Sequence, residues 1–260
     1  MANQKLISFD LKAEFGFFKK PDINDIYLTY NMLHKPVLLG ILGAIVGLQG
    51  YQKNGVFPQY YERLKHLKIG IKPLNDDKGN FSKNMVKYNN GTGFASNEAG
   101  GNLIITEQIL IKPAYRCYVL LNLENEDEKA LYDNIMSYKA EFLPYMGKND
   151  FSLWWTDATE HNFISDVKFS SKYKIDSVFL KNTAVSNFII DMEPEMDFSF
   201  NDDELPWVYF ERLPIGFDEK LYQYVYGDFV YSNATFKKEM NMSGNGTFYK
   251  IDDDLIIQLF

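Results

Sequence analysis

A single cysteine in 260 residues, Cys117 within "YRCYVLLNL", excludes a disulfide inside the chain and a cysteine-based zinc site. It reads as a small core residue of a protein kept in a reducing cytosol. The three histidines, His34, His66 and His161, show no HExxH-type spacing, so no metal is expected. No GxSxG occurs and no serine stands out beside a histidine, which argues against a serine nucleophile. Nucleotide loops are missing too. "GILGAIVG" lacks the Lys-Ser/Thr ending of a P-loop, and "GTGFASNEAGG" has Ser96 where the third glycine of GxGxxG belongs. No cofactor is expected.

Long apolar runs are absent as well. From Pro36 to Gln52 no residue is charged, but this stretch falls short of the roughly 20 residues a membrane helix needs, and no Lys/Arg clusters flank it. The start, "MANQKLISFD", has no secretion-signal pattern, so a cytoplasmic protein without a membrane partner is expected. Positive charge is scarce overall, at a net −8, yet unevenly spread. Residues 1 to 122 carry 15 Lys/Arg against 9 Asp/Glu, and the remainder 12 against 26. Only the first half can offer a phosphate-binding face.

Aromatic residues are plentiful, with 18 Tyr, 21 Phe and 3 Trp, which favours strands and flat stacking surfaces. "KLISFDL" (5–11) reads as a strand, the run from Pro36 to about Gly50 as a helix, and "YYERLKHLKIGIKPL" (60–74) as a short helical piece entering a strand. The Asn/Gly/Ser/Lys stretch 75–102 reads as a projecting hairpin or loop, with strand-like segments before it and at 103–123. "NEDEKALYDNIMSYKAEF" (125–142) is a helix capped by Asn125, and "FSLWWTDA" (151–158) returns as a strand. The order β-α-β-β-α-β predicts an α+β, ferredoxin-like domain over residues 1–157 with an insertion at about 75–102. Beyond it, short runs such as "AVSNFIIDM", "PWVYFERLPIGF" and "YQYVYGDFVYS" predict a small β-rich domain over 158–260, with "DMEPEMD" and "NDDELP" in its loops. Gly40, Gly43 and Gly47 would form one smooth stripe, expected to face the sheet or a bound RNA.

A ferredoxin-like sheet can stack bases on aromatics, although the usual RNP sequence is absent. Lys19, Lys20, Lys35, Lys112, Arg116 and Lys148 are candidate phosphate contacts, each more often a solvated side chain when taken singly. His34, with a tyrosine and lysines, could serve metal-independent RNA cleavage, though a polar residue at a helix start is the plainer reading.

Four segments in order, "FDLKAEFGFFKKP", "TYNMLHKPVLLGILGAIVGL", "ITEQILIKPAYRCYVLL" and "LPYMGKNDFSLWW", resemble the Cas five family of CRISPR-associated proteins, closest to its type I-B members. The resemblance spans roughly residues 5 to 156. It implies an RNA-recognition-motif-like domain whose insertion is a projecting thumb, followed by a small C-terminal β domain. It implies a non-catalytic subunit of the Cascade surveillance complex that binds and caps the crRNA 5′ handle. The implied partners are that handle, the backbone subunit, the large subunit that reads the PAM, and target DNA near the PAM. Handle-binding residues are then expected among Lys19, Lys20, Tyr30, His34, Lys35, Lys112, Arg116, Tyr145, Lys148 and Asn149. Type I-C members cleave precursor crRNA with a tyrosine and a neighbouring lysine and histidine. Here Lys112 is followed by Pro113, so that activity, with His34 or Tyr30 in the site, is the alternative.

Overall fold

The computed structural model describes residues 3–21, 25–76, 78–90, 103–165, 167, 173–181, 198–199, 205–236, 247–252 and 255–260. β1 (Gln4–Ala13) leads through the short β2 (Phe15–Gly16) to α1 (Lys35–Ile45) and α2 (Gln59–Leu64). β3 (Lys68–Leu74), β4 (Lys83–Asn90), β5 (Leu103–Ile111), β6 (Ala114–Asn122), α3 (Glu126–Met136) and β7 (Leu153–His161) follow. The remaining elements named among the described residues are strands: β8 (Phe163–Ile164), β9 (Phe179–Leu180), β10 (Phe198–Ser199), β11 (Val208–Asp218), β12 (Gln223–Ser232), β13 (Thr235–Phe236), β14 (Thr247–Ile251) and β15 (Leu255–Leu259). The run "AVSNFIIDM", the acidic segment "DMEPEMD" and most of "NDDELP" lie outside the described residues.

The protein is α+β and mostly sheet. Its central sheet has the antiparallel order β3-β6-β1-β7. Alternation along β1 sorts the two faces: Ile7, Phe9 and Leu11 point to the core containing α1 and α3, while Leu6 packs with Tyr118 and Leu120 on the opposite face. β14 and β15 cover part of that opposite face, through Tyr249, Ile251, Ile257 and Leu259. The edge strand β3 is closed by later chain: Phe260 and Ile69 exchange both backbone bonds (2.9 and 3.2 Å), and the Val178 N–H donates to the Ile71 carbonyl at 2.8 Å. Residue 157, the expected domain boundary, falls inside β7. Val178, Leu213, Phe229, Tyr231 and Phe260 also belong to the same core cluster as β1 and α1.

Of the expected excursion at 75–102, residues 91–102 lie outside the described residues, and the strands on either side of them pair antiparallel. β4 and β5 pair from Lys83↔Leu110 to Asn90↔Leu103, so the hairpin reaches beyond 102 to Ile111. The apolar run 103–123 is accordingly two strands. Lys112, at φ 48°, breaks it, and its N–H donates to the Glu14 carbonyl at 2.8 Å. β2 and the segment around Tyr27 line the other edge of β5.

α1 is shorter than the apolar run suggests. The Leu48 N–H donates to the Gly43 carbonyl and the Gly47 N–H to that of Ala44, a Schellman closure with Gly47 at φ 77°. α3 likewise stops at Met136 and not near 142. Tyr138, at φ 56°, takes the left-handed position, and the Lys139 N–H reaches back to the Asn134 carbonyl. The chain then folds back on α1, where the N–H groups of Glu141 and Phe142 donate to the carbonyls of Ile45 and Ala44. Asn125 caps α3 as expected, accepting from the N–H groups of Asp127 and Glu128.

The glycine stripe does not face the sheet: Gly40 and Gly43 look onto Tyr60 of α2, and Gly47 packs against Glu141. A Cβ on Gly43 would lie 2.3 Å from the Tyr60 Cβ, closer than packed atoms approach. Gly43→Ala should therefore lower stability by about 1–3 kcal/mol through overpacking, despite alanine's better helix propensity. Gly50→Ala, where nothing lies within 4 Å, should stay within about 0.5 kcal/mol. Urea midpoints at constant slope measure both, and an unaltered Gly43→Ala midpoint would contradict this packing.

Candidate nucleic-acid interface

Several pieces of chain converge at the base of the β4–β5 hairpin: residues 19–20 and 27–31, the start of β4, and β11–β12. Between them is a cleft of about 630 Å³ lined by Lys20, Tyr30, Lys83, Tyr209, Arg212 and Tyr226, among others. Glu211 builds it. Its carboxylate accepts from the N–H groups of Asn31 (3.0 Å) and Met32 (2.9 Å) and from the Tyr209 hydroxyl (2.8 Å). This clamps β11 to the turn ahead of α1. Asn31 extends the tie, since its side-chain oxygen accepts from the Phe81 N–H and the Lys83 ammonium, both at 2.9 Å, and its amide donates to the Gly79 carbonyl.

Cations lie over aromatic faces here. Lys20 Nζ is 5.1 Å from the Tyr30 ring centre and 3.8 Å from Glu211, while the Arg212 guanidinium is 4.9 Å from that of Tyr226. Just outside the cleft, Lys19 Nζ is 3.6 Å from the Tyr27 ring centre. Lys83 is spent on structure: it donates to Asn31, Asn80 and Phe81, and burial lowers its pKa. The cleft's other cations are Lys20, paired with Glu211, and Arg212, beside the Tyr30, Tyr209 and Tyr226 rings. Charge for phosphate and flat faces for bases are thereby combined.

Of the expected site residues, only Lys20 and Tyr30 line this cleft, with Lys19 adjacent. His34 is 2% exposed, packed edge-on against Phe18, Tyr30 and Tyr224, and Lys35 is half-buried with its ammonium 3.2 Å from the Phe260 main-chain oxygen. Burial lowers the Lys35 pKa to about 8. Arg116 is on the far face of the central sheet, paired with Asp10 through bonds of 2.7 and 3.0 Å. Lys148 lies across the hairpin from the cleft, bound to Glu107 (2.8 Å) and the Tyr88 hydroxyl (2.9 Å). Burial works against its charge, but those bonds prevail and raise its pKa. Lys112 and Asn149 are exposed away from the cleft lining, and Tyr145 borders a separate pocket. Arg212, Tyr209 and Tyr226 carry no signal of their own in the sequence, lying in the acidic half 179 to 196 residues beyond Tyr30.

The sheet face that stacks bases in RNA-recognition domains is partly unavailable, because Tyr118 is buried under β14–β15. A second arrangement also resembles chemistry. Ser8 Oγ lies 2.7 Å from His161 Nε2, and His161 Nδ1 lies 2.7 Å from Asp252 Oδ2, the order of a hydrolytic triad. Ser8 is 2% exposed in the middle strand pair, so no substrate carbonyl can reach it; the three residues tie the β14–β15 turn to β1 and β7. Among the described residues no group of His, Cys, Asp and Glu could hold a metal, and no helix is long and apolar enough to cross a membrane.

No protein-family model and no curated protein matches the chain. Solved structures similar to it include CRISPR-associated proteins. A chain of a CRISPR RNA-guided surveillance complex is 11% identical with a TM-score of 0.46, covering 87% of this chain and 90% of its own. A CRISPR protein from Archaeoglobus fulgidus is 11% identical with a TM-score of 0.46, covering 98% of both chains. A chain of a type III-B Cmr-beta complex bound to cognate target RNA and AMPPnP is 12% identical with a TM-score of 0.46, covering 90% of this chain and 86% of its own. Likeness at this level says nothing about chemistry, which the chain's own residues must carry.

Burial lowers the His34 pKa to about 3, and its Nδ1 has no hydrogen-bond partner. The unfolded chain takes up that proton near pH 6.5, so between the two values it binds more protons than the folded state. Stability therefore falls as the pH falls through this window, by at most about 1.4 kcal/mol per unit. Urea unfolding at pH 7 and pH 5 should show a His34-dependent loss of about 2 kcal/mol that disappears in His34→Phe. Parallel pH profiles for the two proteins would contradict the burial of a neutral ring.

Proposed function

We propose that this chain is a non-catalytic subunit of a type I CRISPR surveillance complex, type I-B-like, that binds and caps the 5′ handle of crRNA. The observation that carries the reading is the cleft, where Lys20 and Arg212 lie over the rings of Tyr30 and Tyr226 at the base of the hairpin. Phosphates of a single strand meet the cations and its bases meet the rings, while guide pairing supplies sequence specificity elsewhere. Two of the segments that resemble the Cas five family frame this site: one carries Lys19 and Lys20, the next Tyr30 and Asn31. The element order, with sheet order β3-β6-β1-β7, supports a ferredoxin-like domain, and the β4–β5 hairpin is its thumb. The thumb meets the backbone subunit, and the large subunit, with PAM-proximal target DNA, lies beyond the handle.

The non-catalytic part of the reading rests on His34 and Lys112. A buried imidazole that stays neutral to about pH 3 cannot reach a ribose hydroxyl as a general base, and Pro113 follows Lys112 where the cleaving members have histidine.

Lys20→Ala with Arg212→Ala should weaken single-stranded RNA binding and reduce its log–log salt slope by about 0.7 for each phosphate that is no longer neutralised. Fluorescence anisotropy across a salt series measures both quantities. Parent affinity and slope in the double variant would refute the cleft, and a discrete cut of repeat RNA in EDTA would refute the non-catalytic role.

A further inference from the structure

Beside α1 lies a second pocket, of about 370 Å³, whose lining includes Gly40, Tyr51, Tyr60, Leu143, Tyr145 and Tyr224. No lining residue is charged. Its rim carries unusually exposed apolar side chains, with Leu143 at 75%, Tyr51 at 65% and Tyr145 at 43%. The pocket is not isolated from the cation-bearing cleft. Arg212 lies over Tyr226, the Tyr226 ring meets Tyr224 at 6.1 Å, and Tyr224 lines the pocket and stacks on Phe217 at 4.7 Å. His34 joins the two cavities from beneath, touching Tyr30 on one side and Tyr224 on the other.

Resting on the RNA reading above, we propose that this tyrosine pocket holds one unpaired nucleobase of the strand whose phosphates lie in the cleft. A base is planar and uncharged, and stacking on tyrosine is tolerant of its identity. The volume lies at the small end of ligand pockets. Burial raises the pKa of the Tyr51 and Tyr60 hydroxyls, which stay protonated and offer polar edges to a base. The lining offers phosphate no cation, so the backbone stays at Arg212 and Lys20 while the base turns inward. A partner protein's apolar side chain would suit the rim but leaves the ring path to Arg212 without a role.

The test uses the full chain and short single-stranded RNAs carrying 2-aminopurine at successive positions. In the parent, one position is quenched by stacking. Tyr145→Ala and Tyr51→Ala abolish that quench and weaken binding about 5- to 150-fold, with the salt slope unchanged. Tyr145→Phe keeps the ring and restores both. Salt-dependent binding with no quenched position, or with Tyr145→Ala equal to the parent, overturns the base pocket and leaves the cleft standing. Absence of salt-dependent RNA binding in the parent overturns the cleft as well. Tyr145→Ala that binds RNA normally but loses a protein subunit on co-purification assigns the pocket to protein docking and overturns this proposal.

Discussion

α1 can show water little of its surface, and the rest of the structure is arranged around that constraint. Apart from Lys35 it carries no charge, and Pro36, Leu38, Leu39, Ile41, Leu42, Gly43 and Ile45 are all buried. A helix apolar on nearly every side must be enclosed. The central sheet takes one side, and Gly43 lets Tyr60 of α2 approach on another. β11–β12 close over the helix start, where Tyr224 meets His34. The C-terminal strands therefore share a core with the first half of the chain, as Leu213 and Phe229 show.

The candidate site follows from that enclosure. Bringing β11 to the turn before α1 places Glu211 under the backbone of Asn31 and Met32. The next residue, Arg212, lines the same cleft as Lys20, although the half of the chain that holds it is strongly acidic. Net charge alone points away from a nucleic-acid partner, but the fold brings the few relevant cations together on aromatic faces. The Lys148–Glu107 pair on the other side of the hairpin, with Glu107 buried, shows the opposite outcome. There, a cation that looks available in the sequence is used to hold the hairpin against the 145–151 loop.

What was legible in the sequence was local. The Asn125 cap and the acidic first turn announce α3, and the polar stretch ahead of "LIITEQILI" announces an excursion. Both helices end sooner than their sequence patterns suggest, because Tyr138 adopts a left-handed conformation that a tyrosine does not advertise, and apolar residues continue past Ile45 after α1 has closed. The break at Lys112 has one signal in the sequence, Pro113 directly after it, within a run that otherwise reads as strand. Least legible were the partners of the site. Tyr209, Arg212 and Tyr226 alternate along strands as ordinary aromatic and polar residues, and only the long-range closure onto α1 gives them a common purpose. Arg116 misled for the converse reason: its partner Asp10 lies 106 residues away and directly opposite in register.

The central claim is that single-stranded RNA runs through the cleft between the hairpin base and β11–β12. Ultraviolet crosslinking of the RNA-bound protein, with mass-spectrometric mapping of the modified peptides, tests it most directly. Crosslinks within residues 19–31 and 209–226 are the predicted result. Crosslinks confined to the open strip of the central sheet around Trp154 and Arg116 would contradict it.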